Sequence, residues 1–521
     1  TARRLNVVAD DQTFHDHIEG YCTPLSAAPG STVALRVSTH ADRFDLTVER
    51  WGVERVEVWS AADLPGAYVP PPPDADARGC RWPVSVEIPV AETWRSGFHL
   101  VTLRAHGAPP GRDVAHAGFV VRAGRVRERS LLVLDTNTWN AYNTWGGASL
   151  YTGGTQVSFD RPFARGMLCR PEVERDDRKS RPVRWNEVPD AEGEIFQSYR
   201  TEHGYPSAIG SAGWFTHGRR YVEWAEAAGH RFDMAISTDL EDTPDVLDGY
   251  DLVVSVGHDE YWSAGQRQAV EAHVEAGGHF ASFSGNTMFW QVRIERDDAA
   301  AHMVGYKYRA HLDDPVVAAG RPELMSGMWA DPLVGRPEWS FLGAGSAFGL
   351  YHRFGNATPR GVGGFLVYRP DHWLVAGTGL GYGDVLGATH GVVGYETVGV
   401  PIQLDEFQRP VAAPRDDLPA AIEIVGHVPS SNLGVGDYPK SIAALSDQGD
   451  LEFLAARIHG ADDEDNRTRV RNGNAVMLVC RPYGEPGGEI VTVGTTDWVF
   501  GLAGDEHVRR VTQNVLDRFV T

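Results

Sequence analysis

Between residues 18 and 123 apolar and polar positions alternate one by one. Thr32-Val33-Ala34-Leu35-Arg36-Val37-Ser38, Phe44-Asp45-Leu46-Thr47-Val48-Glu49-Arg50, Val56-Glu57-Val58-Trp59, Val84-Ser85-Val86-Glu87-Ile88, Phe98-His99-Leu100-Val101-Thr102-Leu103 and Gly118-Phe119-Val120-Val121 each read as a strand with one buried face. Gly, Pro and Asp turns separate them and no helical period intervenes. The segment therefore predicts an antiparallel β-sandwich of immunoglobulin-like kind. The proline run at 70–73 falls between two of these strands and predicts a stiff surface loop.

At 122–130 the composition shifts to a charged linker, which sets a domain boundary near residue 126 and divides the chain into a sandwich at 1–125 and an α/β domain at 126–521. Leu131-Leu132-Val133-Leu134-Asp135 is a continuous apolar run suited to a strand buried on both faces. An irregular, aromatic- and glycine-rich segment follows to about 210, then a helix at 219–228 and a short strand at 232–236. Asp251-Leu252-Val253-Val254-Ser255-Val256-Gly257-His258-Asp259-Glu260-Tyr261-Trp262-Ser263 reads as a buried strand and a tight turn, with an amphipathic helix at 264–276 after it. Gly278-His279-Phe280-Ala281-Ser282-Phe283 is another strand, ending in Ser284-Gly285-Asn286. This alternation predicts a mostly parallel, doubly wound sheet, with the loops after Asp135, Val256 and Phe283 on one edge. Residues 300–480 are less regular, with strands expected at 364–368 and 392–395. A last strand is expected at 489–494 and an amphipathic helix at 505–519. Asp462-Asp463-Glu464-Asp465 reads as a solvated loop, and no internal repeat is visible.

Composition narrows the function classes. Hydrophobic content of 42%, charged content of 23% and 58 glycines describe a globular chain rich in turns. The formal net charge of −22 speaks against nucleic acid and anionic membrane surfaces as partners, since both reward clustered Lys and Arg. The longest apolar runs are strand-sized, so no transmembrane segment is expected. Thr1-Ala2-Arg3-Arg4-Leu5-Asn6 has no apolar signal region. Cys22, Cys80, Cys169 and Cys480 show no CxxC spacing. Cys22 and Cys80 share a domain and could pair, but buried free thiols and a cytoplasmic location are the expectation.

The turn at His258-Asp259-Glu260 carries the chemistry. Acidic residues there favour the start of the next helix, so capping is one reading. The other is a functional site, because polar and aromatic residues crowd the remaining strand ends, in Asp135-Thr136-Asn137-Thr138-Trp139-Asn140-Ala141-Tyr142-Asn143 and in Ser284-Gly285-Asn286-Thr287. The turn offers no GxSxG nucleophile, and HExxH, GxGxxG and P-loop patterns are absent. What remains is a carboxylate, a histidine and tyrosines, donors that suit a hard ion such as Fe(III) better than Zn(II).

Several motifs in order resemble the large (beta) subunit of N,N-dimethylformamidase, an iron-dependent amidohydrolase family. They are Asn140-Ala141-Tyr142-Asn143-Thr144-Trp145-Gly146-Gly147-Ala148-Ser149-Leu150-Tyr151, Gly257-His258-Asp259-Glu260-Tyr261-Trp262-Ser263, Gly285-Asn286, Gly394-Tyr395-Glu396, and the closing Val493-Gly494-Thr495-Thr496-Asp497-Trp498 through Thr512-Gln513-Asn514-Val515-Leu516. The resemblance covers about residues 126–521. It implies a glutamine-amidotransferase-like α/β domain, hydrolysis of an amide, and a mononuclear iron, as Fe(III), held by two tyrosinates and a glutamate. Carried over, Glu260 is the glutamate ligand, Tyr142 the first tyrosine with Tyr151 as its rival, and Tyr199 the second with Tyr205 next. His258, Asn286, Lys307 and Glu396 match polar residues around that iron and are the catalytic candidates. The partners implied are a small amide substrate and further copies of the chain, with a small accessory subunit left open. Set against that family, the chain is shorter than the large subunit, and an inserted lectin-like β-domain near the N-terminal region is not expected in it.

Two other classes fit the residues. A non-catalytic carbohydrate-binding protein would use the sandwich and the 15 tryptophans, and a hydrolase of the same fold would use another metal, such as zinc, on an amide or urea.

Overall fold

The computed structural model describes residues 17–124, 128–171, 204–206, 209–243, 245–297, 300–354, 362–394, 396–438 and 449–520. These group into two compact units. One falls within Thr1–Val173, Arg200–Val246 and Arg293–Gly305, and the other within Leu247–Val292 and Tyr306–Thr521. Among the described residues no helix is long and apolar enough to cross a membrane.

In the first unit a three-stranded sheet (Ile18–Thr23, Thr32–Thr39, Val86–Pro89) and a five-stranded sheet (Ser26–Ala27, Val114–Val121, Gly97–Ala105, Arg43–Trp51, Arg55–Pro65) enclose one core. All pairings are antiparallel except Ser26–Ala27, which runs parallel to Val120 and Val121. The period-two reading holds in Arg43–Trp51 and at Val33, Leu35 and Val37 of Thr32–Thr39, whose inward residues share one core with Val101 and Leu103. It does not hold in Arg55–Pro65, where Val56 is exposed, or in Gly97–Ala105, where Phe98, His99, Leu100 and Val101 are all buried. The proline run at 70–73 lies outside helix and strand. Two short elements, Ile18–Thr23 and Ser26–Ala27, escaped the sequence pattern because glycine and proline interrupt their alternation.

The rest of this unit is tied to those sheets. Ser130–Leu134, buried on both faces, pairs in parallel with Asp233–Ile236. Met234 N donates to Ser96 Oγ (2.8 Å), Trp51 Nε1 to Glu223 (2.9 Å) and Ser26 Oγ to Asp239 (2.7 Å). Arg122, at the head of the expected linker, is bound to Asp239 at 3.0 Å. Where an irregular segment was expected, Thr136–Tyr142 forms a helix whose seven residues are all buried, with Trp139 Nε1 donating back to Asp135 Oδ1 (2.7 Å). Burial of every side chain removes the amphipathic period by which such a helix is recognised.

In the second unit the main sheet runs in the order Leu252–His258, His279–Gly285, Ile490–Thr492, Asn472–Cys480, Ile422–Ser431, Phe365–Val367, Val385–Leu386. The first three strands are parallel, and every later pairing is antiparallel. The sheet is therefore mixed, against the expectation of a mostly parallel one. The connection from Cys480 to Ile490 is too short for a crossover, which needs a dozen or more residues, so those two strands must be antiparallel. Ile422–Ser431, in the stretch expected to be less regular, is a strand although it contains Gly426 and Pro429. The register slips next to Gly426, and the strand continues past both. The strand expected at 392–395 is absent at 392–394, and Tyr395 lies outside the described residues. The acidic run is no loop but a helix start, with Asp463 accepting from Asn466 N (2.9 Å) ahead of Glu464–Arg471. The terminal helix Glu506–Phe519 buries Val508, Val511, Thr512, Val515, Leu516 and Phe519 as its spacing predicts. All four cysteines are free, and Cys22, Cys80 and Cys480 are buried.

Candidate functional site

The site is built from the turn after Leu252–His258. This strand is buried throughout, and Gly257 adopts φ 79°, a left-handed conformation that costs glycine least. Asp259 then locks the turn. Its Oδ2 accepts from Ser255 Oγ (2.6 Å), its N donates to Ser284 Oγ (3.2 Å), and its carbonyl accepts from Met288 N (2.9 Å) and Trp262 Nε1 (3.0 Å). Burial pushes its carboxyl up to about 6, against the lowering effect of Ser255, Trp262 and His258. Helix capping falls to Ser263, whose side chain accepts from Gln266 N (3.1 Å) at the start of Ala264–Glu275. The capping reading of His258, Asp259 and Glu260 is thereby excluded.

His258 and Glu260 face one another. His258 Nε2 lies 3.2 Å from Glu260 Oε2 and 2.5 Å from Glu396 Oε2. Glu260 Oε1 accepts from Trp290 Nε1 (2.7 Å), and its carbonyl from Trp290 N (3.0 Å). Asn286 Nδ2 donates to Glu396 Oε2 (3.4 Å), while Asn286 Oδ1 accepts from Ser346 Oγ (2.6 Å), which fixes the orientation of the amide. All these side chains are buried. Burial alone disfavours the imidazolium, but Glu396 and Glu260 outweigh it and hold the His258 pKa well above the usual histidine value. One donor atom from each of His258, Glu260 and Glu396 falls within 4.8 Å of the others, a grouping able to hold a metal ion.

Glu396 reaches this place because of a glycine. Gly285 stands opposite His258 in the parallel register, and a Cβ on it would come within 2.4 Å of Glu396 O and 2.3 Å of Thr496 N. Thr496 N donates to that same carbonyl (3.0 Å). Backbone strain gathers in the same loops: Asn286, Met288 and Lys307 have φ of 49°, 60° and 52°, a region that costs a non-glycine residue about 1–3 kcal/mol. Lys307 is buried, with Nζ 5.3 Å from the centroid of the Trp290 ring and 5.6 Å from those of Tyr261 and Tyr308. Burial lowers its pKa to about 8, although Glu260, Asp450 and Glu396 favour the charged form.

Of the residues singled out in the sequence, His258, Glu260, Asn286 and Glu396 are therefore in contact, with Lys307 in the same unit. Tyr142, Tyr151 and Tyr205 belong to the other unit. The two rivals Tyr142 and Tyr151 stack on one another (4.2 Å between centroids, 26°), and Tyr205 is buried beneath Arg165 at 5.9 Å. Tyr199 lies outside the described residues. Sequence reasoning missed Trp290, Ser346 and Asp450. Trp290 opens the strand Trp290–Arg296 just after the Asn286 loop and was within reach, whereas nothing around Ser346 distinguishes it.

A family model described as "N,N-dimethylformamidase beta subunit-like, C-terminal" matches residues 45–513. The N,N-dimethylformamidase beta subunits of Paracoccus aminophilus and of an Alcaligenes species are each 22% identical to this chain over 324 residues. That match covers 57% of this chain and 36% of each relative, so it spans little more than a third of the relatives' length.

Proposed function

We propose that this chain, which belongs to the N,N-dimethylformamidase beta subunit-like family, is a hydrolase that cleaves the C–N bond of small, formamide-like amides. One observation carries the reading: His258, Glu260, Asn286 and Glu396, drawn from separate segments, meet in a buried group bound together at 2.5–3.4 Å. Burying two carboxylates on one histidine is costly for a purely structural purpose. In the same reading the two antiparallel sheets are an immunoglobulin-like sandwich, the mixed sheet is a glutamine-amidotransferase-like layer, and the active form is a homo-oligomer.

The donor set fits the iron that the family resemblance brings. Glu260 and Glu396 bring carboxylate oxygens together beside His258, and oxygen donors suit a hard cation. Glu260 would hold the ion through its carboxylate, with two tyrosinates completing the ligand set that the family resemblance implies. When bound, iron would supply Lewis-acid chemistry of the kind that favours hydrolysis near neutral pH.

The protein's own groups move the protons. Glu396 Oε2 takes a proton from the attacking water, and His258 Nε2 gives one to the departing amine nitrogen as the C–N bond breaks. The products are a carboxylic acid and an amine. Asn286 Nδ2, held facing inward by Ser346, and Lys307 Nζ donate to the oxyanion, each worth roughly 3–4 kcal/mol when preorganised. The buried surroundings exclude bulk water and strengthen these contacts.

The test is release of dimethylamine from N,N-dimethylformamide by the iron-loaded protein, with metal content measured in parallel. The reading requires Glu260→Ala to lose both iron and activity. An active, metal-free Glu260→Ala protein would end it, and so would failure of the folded, iron-loaded parent on a panel of small amides.

A further inference from the structure

Three tyrosine hydroxyls converge on one buried carboxylate that the proposed reaction does not use. Tyr308 Oη donates to Asp450 Oδ1 (2.9 Å), and Tyr351 Oη and Tyr438 Oη donate to Asp450 Oδ2 (2.8 and 2.7 Å). Asp450 is the first residue of the helix Asp450–His459, where a negative charge is favoured. Three hydroxyl donors on a carboxylate form a directional, cooperative network.

The network leads to Lys307. Tyr308 is the next residue in the chain, and its ring is one wall of the aromatic cage around Lys307 Nζ, with Trp290 and Tyr261 as the others. The Tyr308 ring is gripped on two further sides, edge-on against Trp290 (5.0 Å between centroids) and against Phe453 (4.8 Å), and Phe453 stands on the same helix as Asp450. Trp290 in turn donates its indole N–H to Glu260. Lys307 itself sits at φ 52°, a backbone state that persists only where its surroundings over-determine it. The chain has three lysines, Lys179, Lys307 and Lys440, so in a protein that otherwise relies on arginine the caged cation is a lysine. An ammonium is a compact point charge on a flexible stem, and it needs its walls to define where it points.

We propose that Asp450 is a positioning residue for Lys307: by anchoring the Tyr308 hydroxyl it fixes the aromatic wall that aims the Lys307 ammonium. The catalytic consequence rests on the amide-hydrolase reading above, but the positioning itself does not.

With only three lysines, protein made with 13Cε-lysine gives three ε-methylene signals, and Lys307→Met identifies the one that matters. Its protons are expected upfield of the other two, shifted by the rings of the cage. Asp450→Asn and Tyr308→Phe, which keep the size of each side chain, should both move that signal back towards the other two. Tyr438→Phe, which removes a hydroxyl with no ring on Lys307, should leave it in place. On N,N-dimethylformamide the first two variants should lower kcat by about 10-fold to 100-fold with KM little changed, the scale expected of a misplaced catalytic group. Circular dichroism of each variant guards against global unfolding, and Asp450→Glu should recover part of the shift. A Lys307 signal unmoved in folded Tyr308→Phe and Asp450→Asn would overturn the proposal. If the parent is inactive yet the shifts behave as stated, the function is wrong and the positioning stands.

Discussion

His258 Nε2 lies 2.5 Å from Glu396 Oε2, and the two residues come from separate segments of the second unit. Glu396 is the largest influence that raises the His258 pKa. Glu396→Gln keeps the shape and removes the charge, so the imidazole should lose its proton more readily and the proposed base is lost with it. The amide hydrolysis rate should fall by about 10²–10⁴-fold. Stopped assays of amine release across pH would check this, and a variant within a few-fold of the parent would remove Glu396 from the mechanism.

Gly285 is where the fold makes room for that contact. An added methyl would meet two backbone atoms, Glu396 O and Thr496 N, neither of which can swing aside as a side-chain end would. Gly285→Ala should cost about 1–3 kcal/mol in stability and displace Glu396. Urea unfolding measures the first effect and amide hydrolysis the second. A fully stable, fully active alanine variant would mean that the approach of the two segments is looser than described.

How much of this was legible in the chain depends on the range of the interaction. The strand, turn and helix from Leu252 to Glu275 were readable because an apolar run, a glycine and an amphipathic period act within a few residues of one another, whereas the cap is Ser263 and not the acidic turn. The stripe of the terminal helix was readable for the same reason. The direction of Asn472–Cys480 was not, since a strand buried on both faces shows no alternation to distinguish parallel from antiparallel neighbours. Asn286 meets Glu396 across 110 residues and Ser346 across 60, and no local pattern encodes such encounters. Asn286 stood out at a strand end, Glu396 and Lys307 entered through family resemblance, and Trp290, Ser346 and Asp450 emerged only once the chain was folded.

Glu338 should give the protein a measurable pH dependence. It is fully buried, its Oε1 accepts from Ser346 N (3.2 Å), and among the described residues its Oε2 accepts no hydrogen bond. Burial raises its pKa from 4.5 to about 7. A raised carboxyl keeps its proton in the folded state while the unfolded chain releases it, so the contribution is complete below 4.5 and is lost as pH rises through 7. The loss amounts to about 3 kcal/mol if the shift is fully expressed. Glu338→Gln cannot ionise, and its stability relative to the parent should therefore increase between pH 5.5 and pH 8. A constant difference between the two proteins over that range would show that Glu338 does not titrate there.

Asn286 combines two demands that different substitutions can separate. Its side chain bridges Ser346 and Glu396, and its backbone holds φ 49°. Asparagine tolerates the left-handed region better than most residues, glycine tolerates it best, and alanine poorly. Both Asn286→Ala and Asn286→Gly remove the proposed oxyanion donor, so both should lower kcat by about 10²–10³-fold. Only the alanine variant should also lose stability, by roughly 1 kcal/mol or more, because only there does the backbone strain go unrelieved. Both should retain bound iron, since Glu260, the proposed carboxylate ligand, is untouched. Metal analysis, thermal unfolding and kinetics on the two variants give three independent readouts. Loss of iron in either variant would make Asn286 part of the metal site, and equal stability would mean that the loop relaxes out of its left-handed turn once the amide is gone.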